Sequence, residues 1–257
     1  MLNFNQQALN KLKRCKEKID TSVPKKIQDD LWFAGSSPKA WFNKFEPQYN
    51  IPELPEKRLN RSELLDFIQP YRGKNEVDEF TIRKLIVCVF AWGGMRLTPT
   101  WGQLAINTIK SYEKICLGLL RGDLDSTTSY DEFYKQKKLG QMRGVRPAYY
   151  TKLIFFFGDQ TGAIMDRWTA RSTNLLLNAP VVKLDSTKYV DNENPKQVYA
   201  KYLEFISELK TTLSIESVSK TEELIFSCSH IQVTVINRLG QHHQACSAWR
   251  KYVVENT

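Results

Sequence analysis

The chain has 257 residues, 42% of them apolar and 25% charged, enough to bury a full core as one large domain or two packed halves, with no need to invoke disorder. A formal charge of +9 and an isoelectric point near 9.2 make a phosphate backbone the first partner to consider, the plainer alternative being dispersed solvating lysines. No run of about 18 apolar residues offers a membrane span, and the start Met1-Leu-Asn-Phe-Asn lacks the charged-then-apolar order of a secretory signal, so the expected location is cytoplasmic.

Residues 5–19 place Leu9, Leu12 and Ile19 at roughly helical spacing with lysines outward, which predicts an amphipathic helix. Pro24 opens a short helical segment toward Trp32 and Phe33, and Ser37-Pro38 opens another through Trp41, Phe42 and Phe45. These aromatics read as core. Residues 46–60, with Pro47, Pro52 and Pro55, form a linker or extended arm, and Asn60-Arg-Ser-Glu63 starts a helix that Pro70 ends. Asp78 to Trp92 is a strongly apolar helix stopped by Gly93-Gly94. The loop to Trp101 carries Arg96, and Gln103 to Leu120 reads as one long helix. Ser129-Tyr-Asp-Glu132 looks like a capping box for a helix running into Lys135, Lys137 and Lys138.

Leu139 to Leu177 is the most informative stretch. Gly144 takes backbone angles closed to other residues and Pro147 suits the first turn of a helix, so Arg143 to Arg146 is expected to be a tight turn between two helices. Leu153, Ile154 and Phe157 give the second helix an apolar face, and Gly158 and Gly162 bracket the loop that follows. Asp166 then stands at a helix N-cap position, and capping alone is one reading of it. Beyond Pro180 the chain is irregular to Pro195, with room for a short strand, and is then helical from Lys196 to Leu213. Ser219-Lys-Thr-Glu222 reads as another capping box, Ile231, Val233 and Val235 alternate as in a strand, and the tail from Cys246 to Val254 reads as helical.

The order of these elements, with Met142-Arg-Gly-Val-Arg-Pro-Ala148 as a hairpin and Ile164-Met-Asp166 as an acidic site, resembles the helix-hairpin-helix DNA glycosylase superfamily. More narrowly, Pro147 to Phe156 with Ala163 to Ser172 is similar to bacterial proteins with an 8-oxoguanine-DNA-glycosylase-like fold, some of which act against phages that carry modified bases. The resemblance covers residues 78–178 best.

It implies that Gly144, Val145 and Arg146 hold a DNA phosphate through backbone amides, although Arg146 stands where the family usually has a second glycine and a left-handed backbone there would be strained. It implies that Asp166 stabilises positive charge on the sugar and orients water. Lys152 lies one helical turn beyond the slot of the family's nucleophilic lysine, so nucleophile, structural lysine and phosphate contact stay open. Arg96 would contact the strand or orphaned base, Trp92 or Trp101 would wedge or stack unless both are core, and Trp168 would line the base pocket or simply pack. Arg143, Lys135, Lys137, Lys138, Arg167 and Arg171 would supply the phosphate footprint.

The five cysteines are odd in number and lack a C-x-x-C pair, which gives no ground for disulfides or an iron–sulfur cluster. Cys228, His230, His242, His243 and Cys246 match no familiar zinc spacing, so neither metal nor cofactor is expected. The expected fold is mostly α, two packed helical subdomains with a helix-hairpin-helix motif and short strands at most, divided as 1–75, 76–178 and 179–257. The expected function is excision of a modified base, either oxidised guanine or a hypermodified phage base such as glucosylated hydroxymethylcytosine, from double-stranded DNA by a monomer. A non-catalytic DNA-binding protein is the alternative.

Overall fold

The computed structural model describes residues 2–22, 36–45, 51–95, 99–227, 234–236, 242–244 and 248–257. The predicted segment at Trp32 and Phe33, Arg96, and the Cys228, His230 and Cys246 side chains lie outside these residues.

The fold is mostly α, as the periodicity requires. In chain order its helices are α1 (Gln6–Ser22), α2 (Pro38–Phe42), α3 (Arg61–Ile68) with a 3-10 turn (Gln69–Tyr71), and α4 (Glu79–Trp92). There follow α5 (Pro99–Asn107), α6 (Lys110–Arg121), α7 (Ser126–Lys138), α8 (Pro147–Phe157), α9 (Arg167–Leu177), α10 (Lys196–Thr212), α11 (Val218–Ser227) and α12 (Ala248–Asn256). The strand read at Val235 is β1 (Thr234–Ile236), which pairs antiparallel with β2 (His242–Gln244), a strand that the sequence reading did not include, so that Val235 faces His243; in the irregular stretch an isolated bridge joins Leu184 and Val190.

Helix α8 is the axis of the molecule. Its residues from Tyr150 to Phe157 are all buried, because α3, α4, α6 and α7 pack around it. A helix apolar on every side except one lysine can only sit in a core. Helix α9 follows and packs on α1, α11 and α12, while α10 closes the other side against α7 and α11. One continuous buried cluster runs from Phe4 to Val253, and Trp41, Phe42 and Phe45 belong to it.

Capping chemistry fixes several boundaries. The Asn60–Glu63 capping box and the Asp78 cap stand where expected. Three boundaries differ from the sequence reading. Helix α7 starts one turn before Ser129, because the Asp125 carboxylate accepts from Thr128 N at 2.7 Å, and Ser129 is buried within the helix. Helix α11 is capped by Ser217, whose Oγ accepts from Lys220 N at 3.1 Å, which frees Glu222 for a buried ion pair. The predicted long helix from Gln103 to Leu120 is two helices. At the break, Thr108 Oγ1 donates to Leu104 O at 2.9 Å, and Ile109 N and Ser111 N bond three residues back, to Ile106 O and Thr108 O. A threonine whose hydroxyl returns to the backbone weakens the helical ladder at that point.

Candidate active site

The hairpin between α7 and α8 is built around Gly144, which has φ +76°. A Cβ there would come within 2.3 Å of Trp101 O and 2.7 Å of Ala105 N, so glycine is required both by the backbone angle and by the approach of α5. The turn is pinned from two sides, since Thr108 Oγ1 meets Arg143 O at 3.2 Å and Lys137 Nζ donates to Met142 O at 3.2 Å. Among the described residues, the amides of Gly144, Val145 and Arg146 donate to no protein acceptor. Three unpaired amides at the start of a helix are what an anion needs.

Arg146 corrects the expectation of strain. Its φ of −113° is ordinary extended backbone at the N-cap of α8, and its side chain turns away to ion-pair with Asp185 at 2.5 Å. Asp185 organises a tight loop by accepting from Thr187 and Tyr189, and these bonds, with Arg146, hold its carboxyl well below the usual carboxylate range. The loop thereby sets Tyr189 beside the hairpin.

Behind the hairpin opens a cavity of about 350 Å³. Its walls include Gly93, Trp101, Tyr149, Lys152, Asp166 and Trp168, so besides Asp166 and Lys152 four of the predicted site residues reach it: Trp101, Gly144, Arg146 and Trp168. Asp166 is the N-cap of α9, accepting from Trp168 N at 2.8 Å and Thr169 N at 3.1 Å, both through Oδ1. Capping does not exhaust the carboxylate, because Oδ2 keeps its lone pairs while the residue lines the cavity.

Lys152 is only 7% exposed. Its Nζ donates to Ala148 O at 2.8 Å and lies 5.2 Å from the Tyr149 ring centroid. Burial pushes its pKa below the usual lysine value, while Asp166 and then Glu222 act in the opposite sense. Gly93 makes room for it, since a Cβ at that position would meet Lys152 Cδ at 2.9 Å. Beneath lies a buried ion pair, Arg61 with Glu222 at 2.7 Å, with Arg61 Cζ 4.1 Å from the Phe155 ring. Burial pushes the Glu222 carboxyl up to about 7, against the pull of Arg61.

Other predicted residues lie elsewhere. Trp92 is core, packed edge-on against Phe156 at 4.8 Å, which corrects its reading as a wedge; Trp101 is 53% exposed at the rim of the cavity. Arg171 is nine-tenths buried and donates from Nε to Thr257 Oγ1 at 2.8 Å, which corrects its place in a phosphate footprint. Lys137 is spent on the hairpin, and Lys138 is exposed but paired with Glu193. Arg143 is exposed. Sequence reasoning missed Tyr149, Tyr189 and the Arg61–Glu222 pair. Tyr149 sits three residues before Lys152 on one helix, a spacing that is legible in the chain; Tyr189 sits in an irregular loop that carries no periodic signal.

Among the described residues no helix is long and apolar enough to cross a membrane, and no cluster of three His, Cys, Asp or Glu side chains could hold a metal. The sequence profile of the family described as "Putative 8-oxoguanine DNA glycosylase OGG-like protein" matches residues 28–226. Neither the curated proteins nor the solved structures give a match.

Proposed function

The chain belongs to the family of 8-oxoguanine DNA glycosylase OGG-like proteins, and from that premise we propose that it turns a modified base out of duplex DNA and breaks its N-glycosidic bond. The observation that carries this reading is the meeting of a carboxylate, Asp166, and a buried lysine, Lys152, in one cavity behind a turn of unpaired amides. In this reading Gly144, Val145 and Arg146 grip a phosphate through their backbone, exposed Arg143 adds charge, and Lys138 exchanges Glu193 for DNA. Trp101, exposed at the rim, wedges into the space left by the base, and Trp168 lines the pocket. Arg96, which lies between α4 and α5 in sequence, is proposed to contact the opposite strand.

Burial favours the neutral amine of Lys152, the form that attacks. Its lone pair forms a bond to C1′, the C1′–N bond breaks, and the base leaves with the electron pair and takes up a proton. Opening of the sugar ring gives a Schiff base, which water hydrolyses to an abasic site and free Lys152. Asp166 stabilises the positive charge that builds on the sugar. Because its Oδ2 is not used in capping, Asp166 also suits direct attack by an oriented water, and this is the second reading. Neither route requires a cofactor.

The family description favours oxidised guanine as substrate, and the resemblance to anti-phage relatives adds hypermodified phage bases such as glucosylated hydroxymethylcytosine. The test is base release by the monomer from duplexes carrying 8-oxoguanine or glucosylated 5-hydroxymethylcytosine, with undamaged DNA as control. Release from a modified duplex is expected. Binding of every duplex with release from none establishes the alternative, a non-catalytic DNA-binding protein. Borohydride separates the two routes, since an active enzyme that gives no covalent adduct attacks through water.

A further inference from the structure

The cavity contains a guanidinium that has no hydrogen-bond acceptor among the described residues and is held by aromatic rings alone. Arg146 is neutralised by Asp185 at 2.5 Å, and Lys152 bonds to Ala148 O and shares the cavity with Asp166. Arg167, next in sequence to Asp166 and in the same lining, makes neither a hydrogen bond nor an ion pair among the described residues, and its Nε is out of reach of water without an acceptor. The guanidinium lies between two aromatic rings, its Cζ 4.6 Å from the Trp168 centroid and 4.8 Å from that of Tyr189. Those rings are themselves held. Arg250 lies 4.9 Å from Trp168, Arg146 lies 5.9 Å from Tyr189, and Tyr189 N is bonded to Asp185 Oδ1 at 3.0 Å.

A guanidinium clamped in this way is a planar set of donors with no acceptor, fixed before the ligand arrives. We propose that Arg167 is a specificity-determining residue of the cavity, donating to a carbonyl oxygen on the edge of the flipped base. The proposal rests on the glycosylase reading above and names the class of base, one that presents a carbonyl rather than an amino group to this wall. A carbonyl completes the guanidinium's hydrogen bonding, whereas an amino group sets donor against donor. Oxidation of a purine adds such a carbonyl. A phosphate fits this position less well than it fits the hairpin, where the amides of Gly144, Val145 and Arg146 have no acceptor among the described residues and Arg143 is exposed.

The experiment is single-turnover base release from an 8-oxoguanine duplex, and from the same duplex with uncharged methylphosphonates flanking the target, by wild type, Arg167→Met and Arg167→Lys. Methionine keeps an apolar stem between the rings, and lysine keeps a charge without the planar fork. Both variants should melt like the wild type and release base about 30-fold more slowly or worse, by the same factor on both duplexes. Release at the wild-type rate by Arg167→Met overturns the proposal, as does a loss that vanishes on the methylphosphonate duplex, which would make Arg167 a phosphate contact. A wild type that leaves 8-oxoguanine in place but releases glucosylated 5-hydroxymethylcytosine overturns this inference and leaves the glycosylase reading standing; one that releases neither overturns both.

Discussion

Lys152 has a proton state that the fold controls. Burial disfavours its ammonium form, and Asp166 and Glu222 partly restore it, so the neutral amine is available at a pH below the 10.5 of an ordinary lysine. If the amine attacks, release should rise with pH and level off at a midpoint below that value. Glu222→Gln removes an anion that favours the ammonium, so the midpoint should fall further, and a pH–rate profile that does not move would remove the amine from the rate-limiting step. Glu222 has a second consequence. Its folded-state pKa of about 7 lies above the ordinary 4.5, so the native state holds this proton more tightly than the unfolded chain does. The stability it contributes is full below 4.5 and is lost as pH climbs through about 7. Denaturant melts at about pH 5 and about pH 8 should show the wild type losing on the order of 1–3 kcal/mol more than Glu222→Gln between the two.

At the scale of elements, the hairpin and the end of α4 bring the site together. Gly144 sits against the backbone of α5, not against a side chain that could step aside. Gly144→Val should therefore destabilise the protein by roughly 1–3 kcal/mol from backbone strain alone, with the clash added, as a thermal melt would record. Gly93→Ala is a gentler probe. Its Cβ would press on Lys152 Cδ, so it should displace the amine and slow release while the melt changes little. The hairpin was readable in the chain because Gly144 and Pro147 declare their backbone angles, and Asp166 because a cap before a helix is a local signal. The break at Thr108 was not readable, because a threonine hydroxyl that returns to the backbone is equally compatible with an unbroken helix, as Thr151 and Thr173 show. Nor could the destination of Arg146 be read. Asp185 reaches it across 39 positions of sequence, and that pairing decides both the turn's geometry and where Tyr189 stands.

Over the whole molecule, helical periodicity and a resemblance confined to one stretch sufficed for the fold class, because α8 is so apolar that other helices must enclose it. The cavity itself was not legible. Its walls come from the end of α4, the start of α5, the hairpin, α8, the start of α9 and the loop at Tyr189, which only tertiary packing assembles. Burial of the Arg61–Glu222 pair beneath that cavity is likewise a property of packing, since α3 and α11 lie far apart in sequence. In the reaction proposed above, this cavity breaks the glycosidic bond with Asp166 stabilising the charge on the sugar, and every other role assigned to its walls depends on that one. That role is tested most directly by single-turnover release of 8-oxoguanine from duplex DNA by wild type and Asp166→Asn, an exchange that keeps a capping side chain at the start of α9. DNA binding and melting should be unchanged and release slowed about 10²–10³-fold. Release by Asp166→Asn at the wild-type rate would contradict that role.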